Sequence, residues 1–135
     1  MPKRLWDQDG VSVWFHYTTP DLALGIHRSR KYMVLDREDA RGNGLHVTNI
    51  APEQLSDDDL LKRLFAKQRA VVNIEGVLVL RRDPKILPVE KSYGPGKWLH
   101  PSPRKSVIDL APVYLGIGIR QKDVWLWTDG LMLGA

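Results

Sequence analysis

Apolar and polar side chains alternate most clearly between Val11 and Tyr17, with Val11, Val13, Phe15 and Tyr17 on one face and Ser12, Trp14 and His16 on the other. A period of two predicts a strand. In the next stretch, Thr18 to Arg28, Thr19 is placed as N-cap, Pro20 at the first helical position and Asp21 in the first turn, which opens a short helix. Its Leu22 and Ile26, four residues apart, are expected to face the core. Lys31 to Leu35 predicts a further strand, followed by a charged segment from Asp36 to Arg41, a Gly42-Asn43-Gly44 turn and a strand over Leu45 to Asn49. Ser56 is positioned to cap a helix running to Phe65. The aspartates that lead this helix suit the positive end of its dipole, and Leu60, Leu61, Leu64 and Phe65 form its apolar stripe.

Val71 to Leu80 is rich in β-branched residues and reads as one long central strand, kinked or bulged at Gly76. Asp83 to Lys105 is dense in proline, with Gly94 and Gly96, and reads as a long irregular loop; its Tyr93 to Pro103 portion, with Trp98 and His100, is expected to close over a substrate. Two final strands, near Val113 to Arg120 and Val124 to Thr128, flank a Gln121-Lys122-Asp123 turn. Short strands interspersed with two short helices give an α+β class.

The 135 residues suit a single domain spanning 1–135, large enough to bury a core without disulfides or a structural metal. Cysteine is absent, which removes thiolate nucleophiles and cysteine-based zinc sites. No apolar run approaches the ~20 residues of a membrane span, so no membrane partner is expected. Nor does an apolar segment follow the charged start Met1-Pro2-Lys3-Arg4. The expected location is cytoplasmic, or the cytoplasm of a target cell reached without a classical signal peptide. A net charge of +4 favours an anionic partner, although the Lys and Arg residues are scattered.

Three polar features lie on or beside predicted strands: Phe15-His16-Tyr17-Thr18-Thr19, Gly44-Leu45-His46-Val47-Thr48, and Ile74-Glu75-Gly76. His16 is followed by two hydroxyls at a helix start, where anionic groups are favoured; the bland alternative is an imidazole packed on Trp14 beside a simple cap. His46 follows a glycine turn that lets a ligand approach the backbone, and its ring can stack or donate. Glu75 is a carboxylate in an otherwise apolar run. Asp83, beside Arg81 and Arg82, is a second acid candidate whose plain reading is a turn aspartate before proline. No glycine-rich phosphate loop and no His-Glu-x-x-His motif is present. The four histidines at 16, 27, 46 and 100 show no close ligand spacing, so no metal site is expected.

The succession Val13 to Thr19, a helix ending near Arg28, Gly42 to Pro52, then Leu55 to Phe65 resembles the His-Tyr-Asp/Glu class of ADP-ribosyltransferase domains. That class includes small toxin domains of bacterial conflict systems and is similar in layout to rifamycin-modifying ADP-ribosyltransferases. The likeness covers roughly residues 11 to 83. It implies an α+β fold of split β-sheets with two short flanking helices, and NAD as the substrate for ADP-ribosyl transfer or hydrolysis. The acceptor would be a protein, a nucleic acid or a small molecule, and an inhibitory partner protein would be in keeping with a toxin. By the resemblance His16, Tyr17, Thr18, His46 and Thr48 contact NAD, with His46 standing where the class carries tyrosine, and Glu75 or Asp83 supplies the catalytic acid. Histidine at both positions also resembles the RNA 2′-phosphotransferases, which use NAD. The alternative from a different class is a non-enzymatic basic module that contacts nucleic acid through its tryptophans and the Lys and Arg of residues 97–105.

Overall fold

In chain order the elements are β1 (Lys3–Arg4), a 3₁₀ turn (Leu5–Asp7), β2 (Val13–Thr18), α1 (Pro20–Ser29), β3 (Lys31–Met33), β4 (Gly44–Thr48) and α2 (Asp57–Phe65). They continue with β5 (Gly76–Arg81), β6 (Glu90–Lys91), β7 (Lys97–Pro101), β8 (Val107–Asp109), β9 (Tyr114–Gln121), β10 (Val124–Trp127) and β11 (Met132–Leu133). These come from a computed structural model that describes residues 3–35, 42–65, 73–92, 95–128 and 130–133. Seven strands form one antiparallel sheet in the order β10-β9-β5-β2-β4-β7-β6, and β1–β11 and β3–β8 form two-stranded ribbons. The described residues are thus α+β, with antiparallel sheets and two helices.

One junction in the sheet differs from the others. β2 and β5 are paired at six positions, from Val13 with Arg81 to Thr18 with Gly76, and β4 and β7 at five. β2 and β4 share a single pair, Phe15 opposite Thr48. The sheet therefore parts into a four-stranded half, β10-β9-β5-β2, and a three-stranded half, β4-β7-β6. At the parting the His46 carbonyl, which a continuous ladder would give to a backbone amide, instead accepts from the His16 ring at 2.6 Å. Across this junction the strands still belong to one seven-stranded order.

Both faces of the sheet are covered. One carries Trp14, Leu78, Leu80 and Ile117 against Ala23 and Ile26 of α1, with Tyr32 and Ile108 of the β3–β8 ribbon packed beside them. The other carries Val13, Phe15, Tyr17, Val77 and Val79 against Leu60 and Leu64 of α2, with Leu5 and Trp6 alongside. Burial on two sides explains why β5 reads as an unbroken apolar run. Both helix starts follow from the sequence: the Thr19 hydroxyl accepts from the Leu22 amide at 3.2 Å, and that of Ser56 from Asp59 at 3.2 Å.

Several expectations are corrected. Ile26 of α1 is buried as expected, but Leu22 is 59% exposed and Ala23 takes the second inward place. The long strand begins at Gly76, because the Asn73 side chain captures the Glu75 amide at 2.8 Å and turns the chain there. Gly76 is the strand's first residue and not a kink within it; a Cβ there would stand 2.6 Å from the Thr19 carbonyl oxygen. Val71, Val72, Tyr93, Gly94 and the charged segment 36–41 lie outside the described residues. The region 83–105 is not wholly irregular, since β7 is hydrogen-bonded along β4, Leu99 is buried, and Trp98 packs on Trp14 with ring centroids 4.8 Å apart. Trp98 and His100 therefore belong to a sheet strand and not to a closing lid.

Candidate functional site

A cavity of about 570 Å³ opens at the seam. It falls within the ~300–1,000 Å³ typical of small-molecule sites. Its walls come from the C-terminal end of β2, from α1, from β3, from the Gly42-to-Thr48 segment and from the end of α2.

His16 and His46 are brought together here. A carbonyl only accepts, so the His16 Nδ1 carries the proton it donates to the His46 oxygen, and Nε2 is left as an acceptor. Burial drives the His16 imidazole down to about 4, the His46 backbone bond pulls the other way, and charge on the His46 ring lowers it further. The ring is thus neutral at pH 7, a base held edge-on to Tyr32 at 5.2 Å. His46 Nε2 lies 3.0 Å from the Gly42 carbonyl, to which it donates, so the glycine turn fixes the imidazole's orientation. That turn needs glycine: Gly42 and Gly44 have φ of 100° and 142°.

Tyr17, Thr18 and Thr48 also border the cavity. The Tyr17 hydroxyl donates to the Ile50 carbonyl at 2.8 Å, and burial, with the Asp57 charge adding to it, raises the phenol far above its ordinary value. This phenol pins β2 to the chain beyond β4. The buried Thr48 hydroxyl accepts from the Ile50 amide at 3.1 Å. Thr18 is half-buried at the β2 end, beside the cavity.

The two acids expected from the sequence separate. Glu75 is exposed one residue before Gly76, the partner of Thr18, so it stands at the cavity's end of the sheet although it does not line the cavity. Its charge helps to raise the pKa of Arg120, whose main partner is Asp57 at 2.6 Å. Asp83 lies past the opposite end of β5, about 20 Å away along the strand. There it accepts from the Lys85 amide at 3.1 Å and pairs with Arg81 at 3.4 Å, the work of a turn aspartate.

Other residues complete the site. Among the described residues lining the cavity Asp21 is the one carboxylate, and Asn73, Lys31, Lys97, Tyr32 and Trp98 join it. Asp21 carried a sequence signal, but one that also serves a helix first turn. Asn73 sits two residues before Glu75 in the turn that starts β5, and Trp98 was hidden in a segment read as loop. With the Asn73 Oδ1 engaged by Glu75, its amide nitrogen is left as the donor. No group of three His, Asp or Glu suited to a metal ion occurs among the described residues. Comparison with known proteins finds no matching family model, no matching curated protein and no matching solved structure.

Proposed function

We propose that the chain is an NAD-consuming domain of the ADP-ribosyltransferase type, transferring ADP-ribose to an acceptor or to water. The observation that carries this reading is the cavity at the seam, where a neutral His16 has Nε2 as a hydrogen-bond acceptor between two strands that pair at one position. An acceptor of that kind suits a ribose hydroxyl. Lys97 supplies positive charge for a diphosphate, and the His46 ring, fixed by Gly42, offers a flat face to a nicotinamide. The β2–β4 parting also agrees with the split sheet that the sequence resemblance implies.

In the reaction the bond from the ribose C1′ to the nicotinamide nitrogen breaks, and its electron pair neutralises the departing ring. An O–H or N–H of the acceptor, or water, adds to C1′ and gives its proton to solvent. Positive charge builds on the ribose as the bond breaks, so a carboxylate at this end of the sheet lowers the barrier. Asp21 in the wall and Glu75 at the rim are the candidates, and Asp83 is too distant. Nicotinamide release from NAD, measured with and without cell lysate, tests the proposal. Release is expected from the wild type and not from His16→Ala, and a requirement for lysate would separate transfer from hydrolysis. Binding alone is read from melting: NAD at ten times its Kd adds about 1.4 kcal/mol, a rise of a few degrees. No release and no shift, together with salt-steep oligonucleotide binding, would replace this reading with the basic nucleic-acid module.

A further inference from the structure

The cavity mouth carries apolar side chains that neither the core nor a nucleotide accounts for. Leu22 on α1 is 59% exposed, Met33 on β3 67% and Leu35 55%, and all three line the cavity. Val107, 52% exposed, stands directly opposite Met33 in the β3–β8 ribbon and extends the collar. Their neighbours Ala23, Ile26 and Val34 already face inward and are buried, so the collar is surplus to packing. The phosphates and ribose hydroxyls of NAD would call on the polar groups of the seam and leave these methyl and methylene groups in water. An exposed apolar patch continuous with a concave pocket marks a ligand site.

The charge at its edge narrows the ligand. Lys31 stands opposite Asp109 across the ribbon, so the formal charges flanking Met33 and Val107 cancel. Nucleic acid requires an uncompensated basic track, and a stable protein interface buries about 1,200–2,000 Å² of broad surface, whereas this collar is a rim round a cavity. We propose that the collar docks an uncharged apolar small molecule. That this molecule is the ADP-ribose acceptor rests on the NAD reading above; that it binds here does not.

The probe is N-phenyl-1-naphthylamine, an uncharged fluorophore that brightens in apolar surroundings, titrated into the whole chain. Saturable brightening is expected, with Met33→Gln and Leu35→Gln each weakening binding about tenfold. Val124→Gln and Leu126→Gln, at exposed apolar positions on β10, should leave it unchanged. Because each substitution is at an exposed position, two independent single variants and their melting curves separate lost binding from lost folding. Absent saturation, or equal weakening by the β10 variants, would overturn the proposal. So would tighter binding of the sulfonated relative anilinonaphthalene sulfonate, which would assign the collar to an anion. Collar binding without an NAD melting shift would keep this proposal and discard the NAD reading; a shift without collar binding would do the reverse.

Discussion

An imidazole that spends its one proton on a carbonyl has a second nitrogen that can gain charge only at the expense of the fold. For His16 the folded value near 4 lies below the ordinary 6.5. Between those values the unfolded chain binds the proton and the folded one does not, so stability rises with pH across that window. The contribution is complete above about pH 6.5 and is lost as pH falls toward 4, a change of about 3 kcal/mol. Urea midpoints at pH 7, 5.5 and 4.5 should show this slope in the wild type and a flatter one in His16→Gln. An unaltered slope in the variant would show that His16 is not the group responsible. At the same scale, Asp83→Asn should leave nicotinamide release unchanged, whereas Asp21→Asn or Glu75→Gln should lower it at least tenfold. A loss with Asp83→Asn would restore an acid that its distance excludes.

Among the elements, β4 depends on its first residue. Gly44 has φ of 142°, and a Cβ there would run into the His100 carbonyl of β7. Gly44→Ala should therefore cost about 3 kcal/mol or more and loosen the three-stranded half, read as a drop in melting temperature with loss of Trp98 fluorescence order. Gly10→Ala, at a glycine with φ of 81° and open space around it, is the milder control. Much of this level was legible in the sequence. The caps at Thr19 and Ser56, the glycine turn before β4, and the β9–β10 hairpin with Lys122 and Asp123 at positive φ all rest on local chemistry. What escaped depends on partners distant in the chain. Leu22 was assigned inward by spacing alone, and only the packing of α1 on the sheet decides which side of the helix is buried. Trp98 sat among prolines that argue for loop, yet pairing with β4 overrides them. The site was half legible: His16 and His46 are strand residues whose convergence needs only that β2 and β4 be neighbours. The choice of carboxylate turns on which end of β5 meets the cavity, and no short stretch of sequence records that.

At the scale of the whole molecule, no helix among the described residues is long and apolar enough to cross a membrane. Two apolar cores lie on opposite faces of one sheet, so the strands between them carry the mechanical load. β5 is laced along its length to β2 on one side and to β9 on the other, whereas β2 and β4 share one ladder pair, Phe15 with Thr48, beside the His16–His46 bond. Amide exchange should accordingly be slow in β5 and faster on the edge of β4 that faces β2; uniform protection across both would contradict the seam. In effect, two plates are joined here by a few rivets where the other strands share a full weld. Whatever fills the gap becomes a guest rung of the sheet, so occupancy should stiffen the molecule at its middle, and ligand binding and sheet completion would be one event.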